Sequence, residues 1–284
     1  MRDGILAGAA IAMAMAAIIP AKANATVEVV SSSQLEFIPL NPARGDASPQ
    51  AGVLWGDIRK DVPSGVLLKF AKGFSSPPHI HNITYRAVVI SGAIHNDDPG
   101  AERMWMGPGS FWTQPAGENH ITAAQSDGGA MAFLEILKGP YLVKHAKEAF
   151  DSGERPVNLD ASNIVWLDAG DVNWVSAAAA GSTPGSVEVA YLWGKPRDGE
   201  MNGTFLKLPK GFQGKIMTGE PAFRAVLIDG AISHAHSGQP SPTELASGSY
   251  FGSNGATEHL VTCSDRRECV VYIRTEGRYQ VTSG

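Results

Sequence analysis

Short segments in which apolar and polar residues alternate recur along the chain and predict β-strands. Arg86 to Ile90 and Ala130 to Leu137 are two of them, and Gly, Pro and Asp residues separate such segments. Lys144 to Phe150 differs, because it is rich in helix-forming residues and ends before Asp151-Ser152-Gly153. The pattern predicts an all-β protein with one short helix.

The order of the segments repeats once, so we expect two copies of one β-barrel. Three stretches recur at an offset of 138 residues: Leu54-Trp55-Gly56 as Leu192-Trp193-Gly194, Leu68 to Phe74 as Leu206 to Phe212, and Arg86 to Ile94 as Arg224 to Ile232. Gly109-Ser110-Phe111-Trp112 recurs as Gly248-Ser249-Tyr250-Phe251, shifted by one further residue. The helix at Lys144 to Phe150 would then bridge the two barrels.

The first 25 residues have the features of a secretory signal peptide. Arg2 precedes an apolar run, and Ala23-Asn24-Ala25 is typical of a cleavage site. The run is shorter than the roughly 20 residues of a membrane span, and no comparable run follows. We expect an exported protein, periplasmic in a Gram-negative source, with no membrane segment after cleavage near Ala25.

These features divide the chain into four parts. Residues 1–25 form the signal peptide, 26–143 the N-terminal barrel, 144–160 a linker with the helix, and 161–284 the C-terminal barrel. Composition agrees with a compact, turn-rich product, since the chain has 32 glycines and 18 prolines and is 43% hydrophobic.

The net charge of the chain and the distribution of its Lys and Arg residues disfavour some classes of binding partner. The net charge of -5 is mild, and no cluster of Lys and Arg offers a track for phosphates, which disfavours binding to nucleic acid or to a membrane surface. A small-molecule ligand or substrate is the expected partner. A homodimer formed through the barrel faces is a further expectation.

Three histidines have the spacing of a metal site. His79 and His81 share one face of a strand, and Tyr85 lies on that face if the strand continues. His120 follows the turn at Pro115-Ala116-Gly117, which would bring a later strand back beside the first. Three imidazoles suit iron, zinc, copper or nickel, and they leave coordination positions open for water, oxygen or substrate.

The stretch containing these histidines resembles the cupin family. The first cupin motif is matched by Gly73, His79, His81 and Gly92, and the second by Gly109, Pro115, Gly117 and His120. Tyr85 stands where a glutamate is usual, and Ala124 where an asparagine is usual. The resemblance covers nearly all of the mature chain and implies two tandem jelly-roll β-barrels, the first of which holds the metal.

Tyr85 is the informative departure from the cupin pattern. A phenol with an ordinary pKa near 10 is a poor ligand unless the metal lowers that pKa, so we expect Tyr85 to hydrogen-bond to water, oxygen or substrate at the metal. The predicted catalytic residues are Tyr85, Arg86 and Glu118, and Gln114 and Trp112 are further candidates for the pocket. Four of these residues could equally be surface or packing residues: Arg86, Glu118, Gln114 and Trp112.

The second barrel has lost most of these ligands. Met217, Gly219 and Phe223 replace His79, His81 and Tyr85, and only His259 matches His120. We interpret this copy as a structural or oligomerising barrel, or alternatively as a ligand pocket without metal. His234 and His236 form another H-x-H pair, but no motif places a third ligand beside them.

Cys263 and Cys269 flank a polar turn between apolar segments of the second barrel. In an exported protein such a pair favours a disulfide across a hairpin, and a catalytic thiol is the alternative. The short loop limits the expected stabilisation to about 2–3 kcal/mol.

Two functions remain open. Cupins with three histidines and no glutamate include iron-dependent oxygenases similar to acetylacetone and gentisate dioxygenases, and the chain also resembles exported ChrR-like bicupins. The resemblance implies one divalent transition metal per chain: Fe2+ for a dioxygenase acting on a small dicarbonyl or a phenolic or carboxylic substrate, with Zn2+, Cu2+, Mn2+ or Ni2+ as other options. The alternative is a non-catalytic ligand-binding or sensing bicupin in which zinc organises the pocket.

Overall fold

The structure is a computed structural model that describes residues 25–178, 186–219, 221–239, 241–264 and 266–284. The predicted signal peptide lies almost wholly outside these residues. The described chain is built of β-strands and of short 3₁₀ helices at Ser32–Gln34, Pro42–Ala47, Ala146–Glu148 and Ala161–Asn163. Within these ranges no helix is long and apolar enough to cross a membrane.

The strands fall into two series that follow the sequence repeat. The first series is β1 (Thr26–Val30), β2 (Ile38–Pro39), β3 (Gln50–Trp55), β4 (Ser64–Phe70), β5 (His79–His81), β6 (Tyr85–Ser91), β7 (Ile94–Asp97), β8 (Phe111–Gln114), β9 (Ile121–Ala124), β10 (Ala130–Ile136) and β11 (Val143–His145). The second is β12 (Val157–Leu159), β13 (Leu167–Asp168), β14 (Val175–Ala178), β15 (Glu188–Gly194), β16 (Asn202–Leu208), β17 (Gln213–Thr218), β18 (Phe223–Asp229), β19 (Ala231–His236), β20 (Thr243–Ala246), β21 (Tyr250–Asn254), β22 (Thr257–Cys263), β23 (Cys269–Thr275) and β24 (Tyr279–Ser283).

Each series supplies most of one barrel, and each barrel has one large seven-stranded sheet. The order is β12-β8-β6-β10-β4-β3-β2 in the first barrel and β1-β21-β18-β23-β16-β15-β13 in the second. The two orders match strand for strand through the repeat. The prediction of an all-β protein with two tandem jelly-roll barrels is therefore confirmed.

The barrels exchange their first strands, which corrects the predicted domain boundaries. β1 pairs with β21 of the second barrel, with Thr26 opposite Asn254, and β12 pairs with β8 of the first, with Val157 opposite Thr113. Each exchanged strand supplies partners for backbone groups that a bare sheet edge would leave unpaired. Residues 26–30 thus belong to the sheet of the second barrel, and residues 144–160 are more than a linker.

The predicted helix at Lys144 to Phe150 is wrong. Val143–His145 is a strand, β11, that pairs with β5, and only a single 3₁₀ turn follows it. The backbone groups along the edge of β5 need hydrogen-bond partners, and satisfying them outweighs the weak helix propensity of this segment. The consequence is functional, because β11 supports the strand that carries His79 and His81.

The second wall of each barrel, which is the one formed by strands outside its seven-stranded sheet, differs between the two barrels. In the second barrel this wall is one six-stranded sheet, β14-β24-β17-β22-β19-β20. In the first it is split into two pairs, β11-β5 and β7-β9, which an isolated bridge between His79 and His120 connects. The first barrel is therefore less regular at the position of the three histidines.

The large sheets of the two barrels pack face to face around a central core. Side chains alternate along β4, so Val66 and Leu68 fill the first barrel while Leu67 enters the central core. Aromatic residues of both barrels meet there; the ring centres of Trp55 and Tyr250 are 4.7 Å apart. Burial on both faces explains the unbroken apolar run Val66-Leu67-Leu68 in β4.

A disulfide joins Cys263 at the end of β22 to Cys269 at the start of β23, with an S–S distance of 2.08 Å. The predicted pairing across this hairpin is confirmed. A free catalytic thiol is thereby excluded for both cysteines, and the bond lies in the barrel that lacks the three histidines.

Candidate metal centre

The structure brings His79, His81 and His120 together inside the first barrel. His79 and His120 face each other across two backbone hydrogen bonds, each with an N–O distance of 3.0 Å. One ring nitrogen from each of the three histidines lies within 4.8 Å of the others. The convergence expected from the strand spacing and the turn at Gly117 is confirmed.

A main-chain carbonyl orients each imidazole. The Nδ1 atoms of His79, His81 and His120 lie 2.9, 3.2 and 3.1 Å from the carbonyl oxygens of Pro77, Leu142 and Glu118. A hydrogen on Nδ1 can be donated to that oxygen, which leaves the lone pair of Nε2 free for a metal ion. The three residues therefore fit a divalent transition metal.

Burial keeps the three imidazoles neutral. It lowers the pKa of His79, His81 and His120, and for His120 burial and the neighbouring His79 together lower the pKa to about 3. His81 and His120 are only 2% and 1% exposed. Metal ligation requires the neutral imidazole, so these histidines have the required form at neutral pH.

Tyr85 lies beside the histidines and is buried. Its hydroxyl donates to Oδ1 of Asn96 at 3.0 Å and lies 3.5 Å from Nε2 of His120. Burial raises the pKa of this phenol, so it stays protonated and can act as a hydrogen-bond donor. The same Asn96 oxygen also accepts a hydrogen bond from Thr122 at 2.7 Å.

Gln114 and Glu118 extend this network to the turn before His120. Asn96 donates to Oε1 of Gln114 at 2.8 Å, and Nε2 of Gln114 donates to the carbonyl oxygen of Glu118 at 3.1 Å. That carbonyl is also the one that orients His120. Glu118, a predicted site residue, thus contributes its main-chain carbonyl to the site.

Arg86 is not at the site, which corrects its predicted position. Its guanidinium lies 3.9 Å from the ring centre of Trp193 in the second barrel. Successive residues of a strand point to opposite faces, so the inward orientation of Tyr85 sends Arg86 toward the central core. Trp112 does line the candidate site, as predicted, and is 2% exposed.

Tyr141 belongs to the site and was missed by sequence reasoning. Its hydroxyl lies 3.1 Å from Nε2 of His81, and the two rings stack with their centres 4.3 Å apart. Asn82 holds this segment through hydrogen bonds to the carbonyl of Pro140 and the amide of Leu142. No cupin motif position marks Tyr141, so only the folded chain reveals it.

A cavity of about 610 Å³ lies against His79 and His81. Its walls are mainly apolar, with Leu68, Phe70, Phe74, Trp112 and Leu134 around His79, His81 and Tyr85. No Asp or Glu is among its described lining residues. The cavity has the size and character of a small-molecule site.

Comparisons with known proteins agree with this architecture. A family profile described as "Domain of unknown function (DUF4437)" matches residues 28–282. The chain belongs to the DUF4437 family. A search of curated protein sequences found no match.

Several solved structures have a fold similar to that of this DUF4437 chain. A protein from Nostoc punctiforme, provisionally named a dioxygenase, is 15% identical with a TM-score of 0.65, and the alignment covers 89% of this chain and 83% of that one. A variant of oxalate decarboxylase from Bacillus subtilis is 12% identical, with a TM-score of 0.51 and coverage of 90% and 78%. Vicilin from Corylus avellana (hazelnut) is 11% identical, with a TM-score of 0.54 and coverage of 89% and 85%.

The second barrel of this DUF4437 chain has a buried histidine pair where the first has its metal centre. Nε2 of His234 lies 3.0 Å from Nδ1 of His259, whose Nε2 lies 3.2 Å from Oγ of Ser253. The ring of Phe223 stacks on His259 at 5.1 Å. Throughout the described residues, His79, His81 and His120 form the only such group suited to a metal ion.

A larger cavity, about 850 Å³, lies on the outside of the second barrel. Met217 and His236 line it, but its charged residues Lys215 and Glu258 are paired with each other at 2.9 Å. It contains no converging group of ligands, so the smaller cavity of the first barrel is the better candidate for function.

Proposed function

We propose that the protein is a metal-dependent oxygenase of the cupin type that acts on a small dicarbonyl or a phenolic or carboxylic substrate. The observation that carries the proposal is the convergence of three neutral, carbonyl-oriented imidazoles, two of which line a mainly apolar cavity. A divalent transition metal held by His79, His81 and His120 would supply Lewis acidity and, as iron, one-electron chemistry with oxygen.

The residues of the chain would bind and orient the substrate. The hydroxyls of Tyr85 and Tyr141 lie 3.5 and 3.1 Å from ring nitrogens of His120 and His81. The hydroxyl of Tyr141 can donate a hydrogen bond to a molecule at the metal, and that of Tyr85, whose hydrogen goes to Asn96, can accept one. The apolar walls exclude water and thereby strengthen these polar contacts. Since no carboxylate lines the described cavity, chemistry that depends on a carboxylate base is disfavoured.

We expect one divalent metal per chain, because within the described residues three converging ligands are found only in the first barrel. An oxygenase favours Fe2+. Zn2+, Cu2+, Mn2+ and Ni2+ also bind imidazole, and copper or zinc would compete successfully with iron by the usual order of affinities. The disulfide and the apolar N-terminal run support export, a setting in which that competition matters.

The second candidate is a non-catalytic binding or sensing bicupin in which zinc organises the pocket. The lack of a carboxylate in the described cavity favours it to the same extent, because a site without a general base can bind a ligand and do nothing further. The two candidates share the fold, the metal site and the ligand class, and differ only in turnover.

Oxygen uptake by metal-analysed protein separates the two candidates. Purified protein loaded with Fe2+ or with Zn2+ would be mixed with a panel of β-dicarbonyls and phenolic acids in an oxygen electrode. We expect uptake with Fe2+ only, and none from the variant carrying His79→Ala and His81→Ala. Ligand-induced thermal stabilisation without uptake would support the binding function, and a metal that survives both substitutions would refute the metal site itself.

A further inference from the structure

Arg44 is the one charged side chain among the described non-histidine residues that line the cavity of the first barrel. It is carried by the 3₁₀ segment Pro42–Ala47, which lies between β2 and β3. His79 and His81 line the same cavity, so a bound molecule could meet two of the metal ligands and Arg44 at once. No cupin motif position includes Arg44.

The charge of Arg44 has no counter-charge within the part of the chain that the structure describes. Among the described residues no carboxylate forms an ion pair with it, although most other arginines in those ranges have such a partner or a buried stacking position. The guanidinium instead lies over the ring of Phe74, 5.3 Å from its centre. Phe74 is itself part of the cavity wall, so this contact holds the guanidinium at the cavity and leaves its positive charge without a carboxylate partner among the described residues.

Local hydrogen bonds fix the backbone that presents Arg44. Its amide donates to the carbonyl of Asn41 at 3.0 Å, and Oδ1 of Asn41 accepts from the amide of Ala43 at 3.2 Å. The amide of Leu40, before the segment, donates to the carbonyl of Pro49, after it, at 2.8 Å, and this hydrogen bond holds the two ends of the turn together. The side chain of Arg44 is therefore carried by a turn whose backbone is held by hydrogen bonds.

Around Arg44 the mouth of the cavity is apolar. Leu40 and Val143 line it and are 40% and 65% exposed. An entrance with apolar edges and a single unpaired cation complements a molecule that has an apolar body and one negative charge.

We propose that Arg44 is the anion-recognition residue of this cavity, and that the ligand is a carboxylate with an aromatic or branched aliphatic body. The apolar body would occupy the space among Phe70, Phe74 and Trp112, and the carboxylate would pair with the guanidinium of Arg44. The inference rests on the proposed function only in using the same cavity, since recognition of the anion requires no turnover.

Calorimetric binding of a matched pair of probes tests the proposal. The probes are 3-phenylpropanoate and its neutral amide, 3-phenylpropanamide, titrated into Zn2+-loaded protein and into the metal-free variant with His79→Ala and His81→Ala. In both proteins we expect the carboxylate to bind about threefold to tenfold more tightly than the amide, the range for a partly exposed charge pair. Arg44→Gln should abolish that preference while binding of the amide stays unchanged.

Arg103→Gln is the matched control. Arg103 is also an exposed arginine over an aromatic ring, with its guanidinium 5.7 Å from the centre of Trp105, but it does not line the cavity. It changes the net charge by the same amount, so an effect of long-range charge would appear in both variants. Equal preference for the carboxylate in wild type and Arg44→Gln would overturn the proposal, as would equal losses in Arg44→Gln and Arg103→Gln.

The test also separates this inference from the proposed function. If the preference depends on Arg44 in the metal-free variant but no oxygen uptake is found with Fe2+, the anion site stands and the oxygenase proposal fails. If the carboxylate preference exists only in the metal-loaded protein and survives Arg44→Gln, the anion binds at the metal and the role of Arg44 is refuted.

Discussion

A contact between Nδ1 and a main-chain carbonyl sets the orientation of each histidine ring. Each Nδ1 faces a main-chain carbonyl, and those of Pro77 and Glu118 come from the residues two positions before His79 and His120. The tight local geometry therefore orients two ligands, while the third, His81, depends on the distant carbonyl of Leu142. At the scale of the residue, hydrogen bonds to main-chain carbonyls set the orientation of all three imidazoles.

Replacement of Tyr85 by phenylalanine should keep the metal and weaken ligand binding or turnover. The hydroxyl is a donor near the ligands, and Asn96 would retain its hydrogen bond from Thr122. A lost hydrogen bond of this kind is worth about 0.5–1.5 kcal/mol, or up to about 3 kcal/mol if it reaches a charged species, so we expect a roughly threefold to hundredfold effect.

Elemental analysis and ligand titration of Tyr85→Phe check this expectation. If the variant loses its metal, the phenol is a ligand after all. If metal content and affinity both equal those of wild type, Tyr85 only fills space in the core.

At the scale of the element, a turn and an edge strand hold the site together. The amide of Gly117 donates to the carbonyl of His81 at 2.8 Å, and the carbonyl of Gly117 accepts from Phe150 at 3.2 Å. The turn before His120 is thereby tied both to the strand of His81 and to the segment after β11. Movement of this turn would displace one ligand relative to the other two.

Gly117→Ala should lower both metal content and stability. Gly117 has φ of 78°, and an added Cβ would lie 2.3 Å from the carbonyl oxygen of Phe150. A side chain in this left-handed conformation costs about 1–2 kcal/mol, and the collision with a backbone atom adds a displacement of the turn.

Gly109→Ala is the matched control for Gly117→Ala. Gly109 has φ of 84°, but the nearest atom to its added Cβ is that of Ala161 at 3.5 Å, an ordinary contact. It should lose stability by a similar strain and still bind one metal per chain. Full metal occupancy in Gly117→Ala would show that the turn does not position His120.

At the scale of the whole molecule, a buried ion pair joins the barrels. Nε of Arg274 lies 3.2 Å from Oε2 of Glu135, and the two side chains are 4% and 1% exposed. The hydroxyl of Tyr272 donates to Glu135, and Nε1 of Trp193 donates to the same hydroxyl at 2.9 Å. The repeat places Glu135 and Arg274 at equivalent positions, so opposite charges meet across the central core.

Glu135→Gln should destabilise the protein by about 3–5 kcal/mol, because it leaves the buried guanidinium of Arg274 without its counter-charge. Urea denaturation measures the change. Glu200→Gln removes the exposed pair with Lys195 and should change stability by less than about 1 kcal/mol. A similar small loss in both variants would mean that the buried pair contributes little.

The second barrel should make stability depend on pH. Burial lowers the pKa of His234 to about 4, and burial with the neighbouring His234 lowers that of His259 to about 3. Both folded values lie below the unfolded value near 6.5, so the unfolded chain binds more protons as the pH falls. The contribution of these histidines to the free energy of unfolding is fully present above about pH 6.5. Below that pH it declines, by up to about 2 kcal/mol per histidine at pH 5.

Urea unfolding of metal-free protein at pH 7 and pH 5 measures this decline. The variant with His234→Asn and His259→Asn should show a smaller difference between the two pH values, whatever its absolute stability. An unchanged difference would assign the effect to the histidines of the first barrel or to other groups.

The sequence by itself determined the features that depend on neighbours along the chain. Alternation predicted strands, the offset of 138 residues predicted two barrels, and the cupin motifs predicted the three histidines. The disulfide of Cys263 and Cys269 was equally predictable, since its residues flank one turn. The orientation of Arg86 could also have been read from the sequence, because the alternation that turns Tyr85 inward turns its neighbour outward.

The tertiary structure alone decided which distant segments meet. The exchange of β1 and β12, the pairing of β11 with β5, and the places of Tyr141 and Arg44 all join residues far apart in the chain. Local propensity carries no information about such contacts. They form because sheet edges must satisfy their backbone hydrogen bonds and apolar faces must be covered, and these demands are met only when the whole chain is folded.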